Sequence, residues 1–186
     1  MQTLQIFWRR LDVVGLERMQ IVLDPDRIQV DSTVLCCENP GFRLDHRWTL
    51  DPDWKALIAY VERWDATTGR RAISLERVEA GWLVDGRHRP DLDTAVEPDL
   101  SVTPFCNTLP IRRAPSKLGR GEPLDVAYID ASAMTVALSR QRYDRTGPRQ
   151  FRYVDLGLHE GFEADLVVDE QGLVCTYQHL FERVES

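Results

Sequence analysis

Apolar and polar residues alternate with period two through most of this chain, which predicts strands. The clearest run is 42–50. Phe42, Leu44, His46, Trp48 and Leu50 share one face, while Arg43, Asp45, Arg47 and Thr49 share the other. One buried and one wet face is the pattern of an antiparallel sheet. Leu4, Ile6 and Trp8 alternate in the same way near the N-terminus. Runs rich in Ile, Val and Leu at 17–24 and 27–35 flank Asp24-Pro25-Asp26, a hairpin signal. Further strands are predicted at 71–78, 81–84, 124–130, 134–143, 149–154, 162–168 and 172–177. Short strands spaced by roughly 8–12 residues point to an antiparallel sandwich or barrel.

The run 51–64 can be read two ways. Asp51 before Pro52 is a helix-cap signal, and Trp54, Leu57, Ile58 and Val61 have helical spacing. Its β-branched and aromatic content suits a strand instead. A weak internal repeat favours the strand: Leu50-Asp51 through Arg63-Trp64 aligns without gaps on Ile129-Asp130 through Arg142-Tyr143, 79 positions later. The expected fold is therefore all-β, one large curved antiparallel sheet or half-barrel built from two meanders. A short helix near 52–62 is the alternative for that run. A single domain is expected over residues 1–186.

Trp82–Arg113 breaks the alternation. It begins as a short strand, turns at Asp85-Gly86, and continues through four prolines with no clean period. Asp91, Asp93, Glu97 and Asp99 and the arginines Arg87, Arg89, Arg112 and Arg113 lie among Leu, Val, Ile, Phe and Trp. So long a connection is usually functional or disordered, and this one is too apolar for disorder. It is expected to be ordered and to cross a face or mouth of the sheet.

Composition narrows the function classes. The net charge is −7 and the pI about 5.1, which argues against broad binding to nucleic acid or anionic membrane. No apolar run approaches the ~18 residues of a membrane helix, so no integral membrane segment is expected. MQTLQIFWRRLD lacks the apolar core and cleavage site of a signal peptide, which predicts a cytoplasmic protein. Cys36, Cys37, Cys106 and Cys175 form neither a CxxC pair nor a disulfide framework, and read as buried free thiols.

Candidate chemistry is sparse. His46, His88, His159 and His179 are scattered without metal-binding spacing, and His46 reads as a core histidine. Cys106 and His88 share the central stretch, but no spacing orders them as a nucleophile pair. The central acidic residues do not match a calcium loop, and pairing with neighbouring arginines is the simpler expectation. Neither a cofactor nor a metal is expected. In the 134–143 strand, Met134, Val136 and Leu138 share a face with Arg140 and Arg142. That suggests an apolar concavity with guanidinium groups at its rim, suited to an amphiphile.

Several motifs resemble a known family. They are Val84-Asp85-Gly86-Arg87, Arg89-Pro90-Asp91-Leu92-Asp93, Thr103-Pro104-Phe105 and Asn107-Thr108-Leu109-Pro110-Ile111-Arg112-Arg113, followed by Val126-Ala127-Tyr128, Arg140-Gln141-Arg142-Tyr143 and Phe162-Glu163-Ala164. In order and across nearly the whole chain, they look like a bacterial family named Putative glycolipid-binding. Cys106 stands where the family pattern is expected to have threonine. The resemblance implies a fold similar to the periplasmic lipoprotein carriers of Gram-negative bacteria, whose curved sheet encloses an acyl-binding cavity.

Together these readings predict non-catalytic binding of an amphipathic small molecule such as a glycolipid or lipid. Trp48, Trp82 and Phe105 would hold its apolar part, and Arg87, Arg89, Asn107, Arg140, Arg142 and Tyr143 its head group. The alternatives are a carboxylate-dependent hydrolase acting on a sugar or lipid, and a protein-interaction module.

Overall fold

The alternating segments all become strands. The computed structural model describes residues 1–114 and 117–184. Its first half is a meander of β1 (Gln2–Arg10), β2 (Gly15–Leu23), β3 (Ile28–Cys36), β4 (Phe42–Leu50), β5 (Ala56–Asp65), β6 (Gly69–Val78), β7 (Gly81–Val84) and β8 (Arg87–His88). A 3-10 turn at Pro90–Leu92, β9 (Ala95–Leu100) and helix α1 (Phe105–Arg113) follow. The second half is β10 (Leu124–Asp130), β11 (Thr135–Gly147), β12 (Gln150–Asp155), β13 (Glu163–Val168), β14 (Val174–Tyr177) and β15 (Phe181–Val184). All fifteen strands form one open curved sheet, in the order β8-β7-β6-β5-β4-β3-β2-β1-β15-β14-β13-β12-β11-β10-β9. Its pairings are antiparallel except for β9 beside β10, which is parallel.

The short helix weighed for 52–62 does not form. Residues Ala56–Asp65 are β5, hydrogen-bonded on both sides to β4 and β6. Asp51 caps a tight turn instead: its Oδ1 accepts from the amides of Asp53 and Lys55, each at 2.9 Å. Its counterpart 79 positions on, Asp130, does the same for Ser132 at 2.8 Å and Ala133 at 2.9 Å. The repeat therefore has a structural equivalent in β4–β5 and β10–β11, including an aspartate-capped turn in each.

The helix of this protein is α1, inside the central stretch. Its residues Phe105 to Ile111 are all buried. It lies against the inner face of the first half, where the Phe105 ring meets Trp48 edge-on at 5.7 Å. A helix surrounded on all sides needs no polar stripe, so it leaves no 3.6-residue signature. Pro104 and Pro110 conceal it further.

Strand β11 departs from expectation in its faces. Val136 is buried, but beyond it the buried residues are Ser139, Gln141 and Tyr143. The register with β10 runs unbroken through this point. The two ends of β11 are therefore covered on opposite faces. The Pro90–Leu92 turn packs on the first end, with Arg89 donating to the Val136 carbonyl at 3.3 Å. Leu138 and Arg140 are left exposed, so Arg140 and Arg142 do not continue an apolar inner face.

Strand β9 is an edge, which accommodates Pro98. Side chains of the first half cover its free side. Glu97, buried, accepts from the Ala56 amide at 3.0 Å and pairs with Arg113 at 2.7 Å and Arg77 at 3.6 Å. Arg77 donates to the carbonyls of Ala56 and Val96 and lies over the Trp82 ring. The Trp82 indole donates to the Ala95 carbonyl at 2.9 Å. Removing one partner of a buried pair strands the other charges. Glu97→Ala is expected to cost about 3 kcal/mol in urea unfolding. Arg149→Ala breaks only the exposed pair with Glu170 and should cost less than about 0.5 kcal/mol. Equal losses from the two would contradict this role for Glu97.

Candidate functional site

Of the cavities between α1 and the second half of the sheet, two adjoin the contact of Tyr143 with Asn107. The first, of about 380 Å³, collects Asp99 from β9, Thr103 and Asn107 at the start of α1, Tyr128 from β10, Tyr153 and Asp155 from β12, and Tyr177 and Phe181 from β14 and β15. Period-two spacing puts Tyr153 and Asp155 on one face of β12. The parallel register sets Asp99 beside Tyr128. The aromatic wall is continuous: ring centroids are 5.5 Å apart for Tyr143–Tyr153, 6.0 Å for Tyr153–Tyr177 and 6.3 Å for Tyr177–Phe181.

The two carboxyls of this cavity differ in environment. Asp155 accepts from the Tyr153 hydroxyl at 3.1 Å and from the amides of Gly157 at 2.8 Å and His159 at 3.1 Å. Gly157 makes that turn possible. A Cβ there would lie 2.5 Å from the Arg140 nitrogen and 2.5 Å from the Ser139 hydroxyl oxygen. Asp99 has no hydrogen-bond or ion-pair partner among the described residues. Part of it faces the cavity and protein encloses the rest. Burial, aided by the Asp155 charge, pushes its carboxyl up from 3.8 to about 7. Burial also raises Tyr128 to about 12 and Tyr177 well above the usual phenol value, so both hydroxyls stay protonated donors.

The second cavity, of about 480 Å³, has an apolar part lined by Val96, Pro110, Leu118, Leu124 and Tyr143, and charged side chains, Arg113, Lys117, Arg120, Glu122 and Arg145, around it. Tyr143 joins the two. Its hydroxyl donates to Asn107 Oδ1 at 2.7 Å and accepts from Gln141 at 3.2 Å. Tyr143 thus lines the second cavity and Asn107 the first.

Of the side chains predicted to bind ligand, Asn107 and Tyr143 are brought together here. Trp48, Trp82 and Phe105 are buried in the core, and the Trp48 indole donates to His46 Nδ1 at 2.8 Å. His46 is the core histidine expected, bound to buried Glu17 at 2.9 Å. The arginines do not gather at either cavity. Arg87 is exposed on β8, while Arg89 pairs with Asp91, Arg140 with Asp125 and Arg142 with Asp144, each at 2.7 Å. Cys106 is buried in α1 with its thiol pushed well up by burial, whereas His88 pairs with Asp93 at the surface. No group of three or more His, Cys, Asp or Glu among the described residues could hold a metal ion. Sequence reasoning missed Asp155, Tyr153 and Tyr177. The alternation Tyr153-Val154-Asp155 was the one available signal, because it puts a carboxylate on an aromatic face.

Comparison with known proteins gives a consistent picture. A crystal structure of a DUF1089 family protein from Pseudomonas aeruginosa, at 1.80 Å resolution, superposes with a TM-score of 0.79. The two are 32% identical over 90% of this chain and 92% of that chain. No curated protein matches. No helix among the described residues is long and apolar enough to cross a membrane. The family model described as Putative glycolipid-binding matches residues 5–183, nearly the whole chain, and the protein belongs to that family.

Proposed function

We propose that the protein binds a sugar-bearing amphiphile without transforming it. The head group occupies the tyrosine-lined cavity and the hydrocarbon occupies the cavity beyond Tyr143. The observation that carries this reading is the pair of cavities meeting at the Tyr143–Asn107 hydrogen bond, one lined by hydroxyls, carboxyls and aromatic faces, the other offering an apolar strip of Val96, Pro110, Leu118 and Leu124. Sugars present C–H faces to aromatic rings and hydroxyls to polar groups, so such a wall suits a pyranose. Three of the side chains facing the first cavity, Asn107, Tyr128 and Tyr177, supply neutral donors.

Hydrolysis of a glycosidic bond is a second reading, favoured by two carboxyls facing one cavity with that of Asp99 pushed up to about 7. It requires release of nitrophenol from nitrophenyl glycosides and its loss in Asp99→Asn. Absence of turnover with bound glycoside would leave the binding reading alone.

Titration calorimetry with octyl glucoside and methyl glucoside tests the leading reading. The octyl ligand is expected to bind more tightly, because each buried methylene contributes about 0.8 kcal/mol. Leu124→Trp fills the second cavity. It should weaken octyl glucoside roughly tenfold, about 1.4 kcal/mol, and leave methyl glucoside unchanged. Failure of both ligands to bind, or indifference of octyl glucoside to Leu124→Trp, would overturn it.

The raised Asp99 carboxyl also makes stability depend on pH. Its folded value, about 7, lies above the ordinary 3.8, so between these values the folded state keeps a proton that the unfolded chain releases. This group's contribution therefore falls as pH rises from 3.8 to about 7 and is level above. Asp99→Asn removes the effect. Between about pH 5 and about pH 8 the wild type should lose on the order of 2 kcal/mol more than the variant in urea unfolding. Identical pH profiles would mean that Asp99 ionises normally.

A further inference from the structure

The tyrosine cavity holds a carboxyl that no cation among the described residues neutralises. Several carboxylates elsewhere are matched with arginines: Asp125 with Arg140, Asp144 with Arg142, Asp165 with Arg152, and buried Glu97 with Arg113 and Arg77. In this cavity Asp99 and Asp155 face the same space, and no lysine or arginine lines it. His159 is the one basic side chain in the wall, its Nδ1 3.8 Å from Asp155. Arg10 lies over the Phe181 ring at 5.8 Å, but Asp12 and Glu38 bind it at 2.6 and 2.9 Å. Asp155 has its three donors, whereas Asp99 has none.

This arrangement selects by charge. A phosphate, sulfate or carboxylate head group would be set against two carboxyls in an enclosed space and is disfavoured. A neutral sugar would leave the Asp99 charge unanswered. An ammonium group gains a charge-assisted hydrogen bond to the carboxylate and attraction to the faces of Tyr128, Tyr153 and Tyr177.

We propose that the ligand of this cavity carries a protonated amine, as an amino sugar or an ammonium-bearing lipid head group does, with Asp99 as its counter-ion. This narrows the head-group reading given above and rests on it. The amine favours ionised Asp99, so its binding at neutral pH should also release protons to the buffer. The titratable groups facing Asp99 across the cavity are Asp155, His159, Tyr128, Tyr153 and Tyr177.

The experiment compares octyl glucosaminide, octyl glucoside and octylammonium by titration calorimetry, on wild type and Asp99→Asn. The Asp99 side chain bonds to no other side chain or backbone group among the described residues, so this isosteric change leaves the fold's hydrogen bonds intact. A hydrogen bond to a charged group corresponds to a preference of roughly tenfold to a hundredfold. A preference of that size for octyl glucosaminide over octyl glucoside, lost in Asp99→Asn, supports the proposal with an amino sugar as source. The same preference for octylammonium, equally lost in the variant, supports it with an ammonium lipid. Octyl glucoside binding as tightly as both cations overturns the proposal and leaves the head-group reading standing. A preference for cations that survives in Asp99→Asn also overturns it, since that is attraction to an acidic surface. Failure of all three ligands to bind overturns both.

Discussion

The buried carboxylate of Glu97 is the constraint on which the arrangement of this protein depends. An open fifteen-stranded sheet has two free edges, and β9 is one of them. Burial pushes the Glu97 carboxyl up, while Arg113, the Ala56 amide and Arg77 draw it back. Those partners come from α1, β5 and β6, so one residue fixes the last strand to the helix and to the first meander. Asp99 lies two residues further on and shares the inward face of β9 with Glu97. The junction that secures the edge therefore also aims Asp99 into the tyrosine cavity.

Helix α1 decides what the curve of the sheet contains. Phe105 packs it against Trp48 in the first half. Its N-terminal turn brings Thr103 and Asn107 to one cavity, and Pro110 and Arg113 line the other. The space under the sheet is thus divided in two, with the Tyr143–Asn107 hydrogen bond between the parts. A buried polar network continues behind the first cavity. Glu17 Oε1 accepts from Ser32 at 2.7 Å, from Thr103 at 2.9 Å and from His46 at 2.9 Å. Such networks are costly when incomplete, and Glu17 Oε2 has no partner. The α1 N-terminus is consequently tied to β2, β3 and β4 by directional bonds as well as by apolar contact.

Wherever a strand has one buried and one wet face, the sequence alone specified it. β4 was legible as Phe42 to Leu50, and the repeat between 50–64 and 129–143 correctly favoured β5 over a helix. Local signals misled where tertiary contacts set the environment. The Asp51-Pro52 helix-cap signal serves a tight turn, and α1, enclosed on all sides and interrupted by proline, has no amphipathic period to read. Strand β11 shows the same limit. Its pattern is continuous, but the Pro90–Leu92 turn covers one end and α1 the other, so burial changes face midway. Of the arginines expected at a rim, Arg140 was left exposed and paired with Asp125, and Arg142, largely covered, pairs with Asp144.

The chain's order of apolar and polar residues therefore determined most of the strands, the all-β class and, through its motifs, the family, while β8, β9 and β15 left no readable alternation. Tertiary structure alone decided the candidate site, because Asp99, Tyr128, Asp155 and Tyr177 come from four strands far apart in sequence. Period two tells which residues share a face, but not which faces meet. The absence of a counter-ion for Asp99 is a property of everything surrounding it, and no local stretch of sequence encodes that.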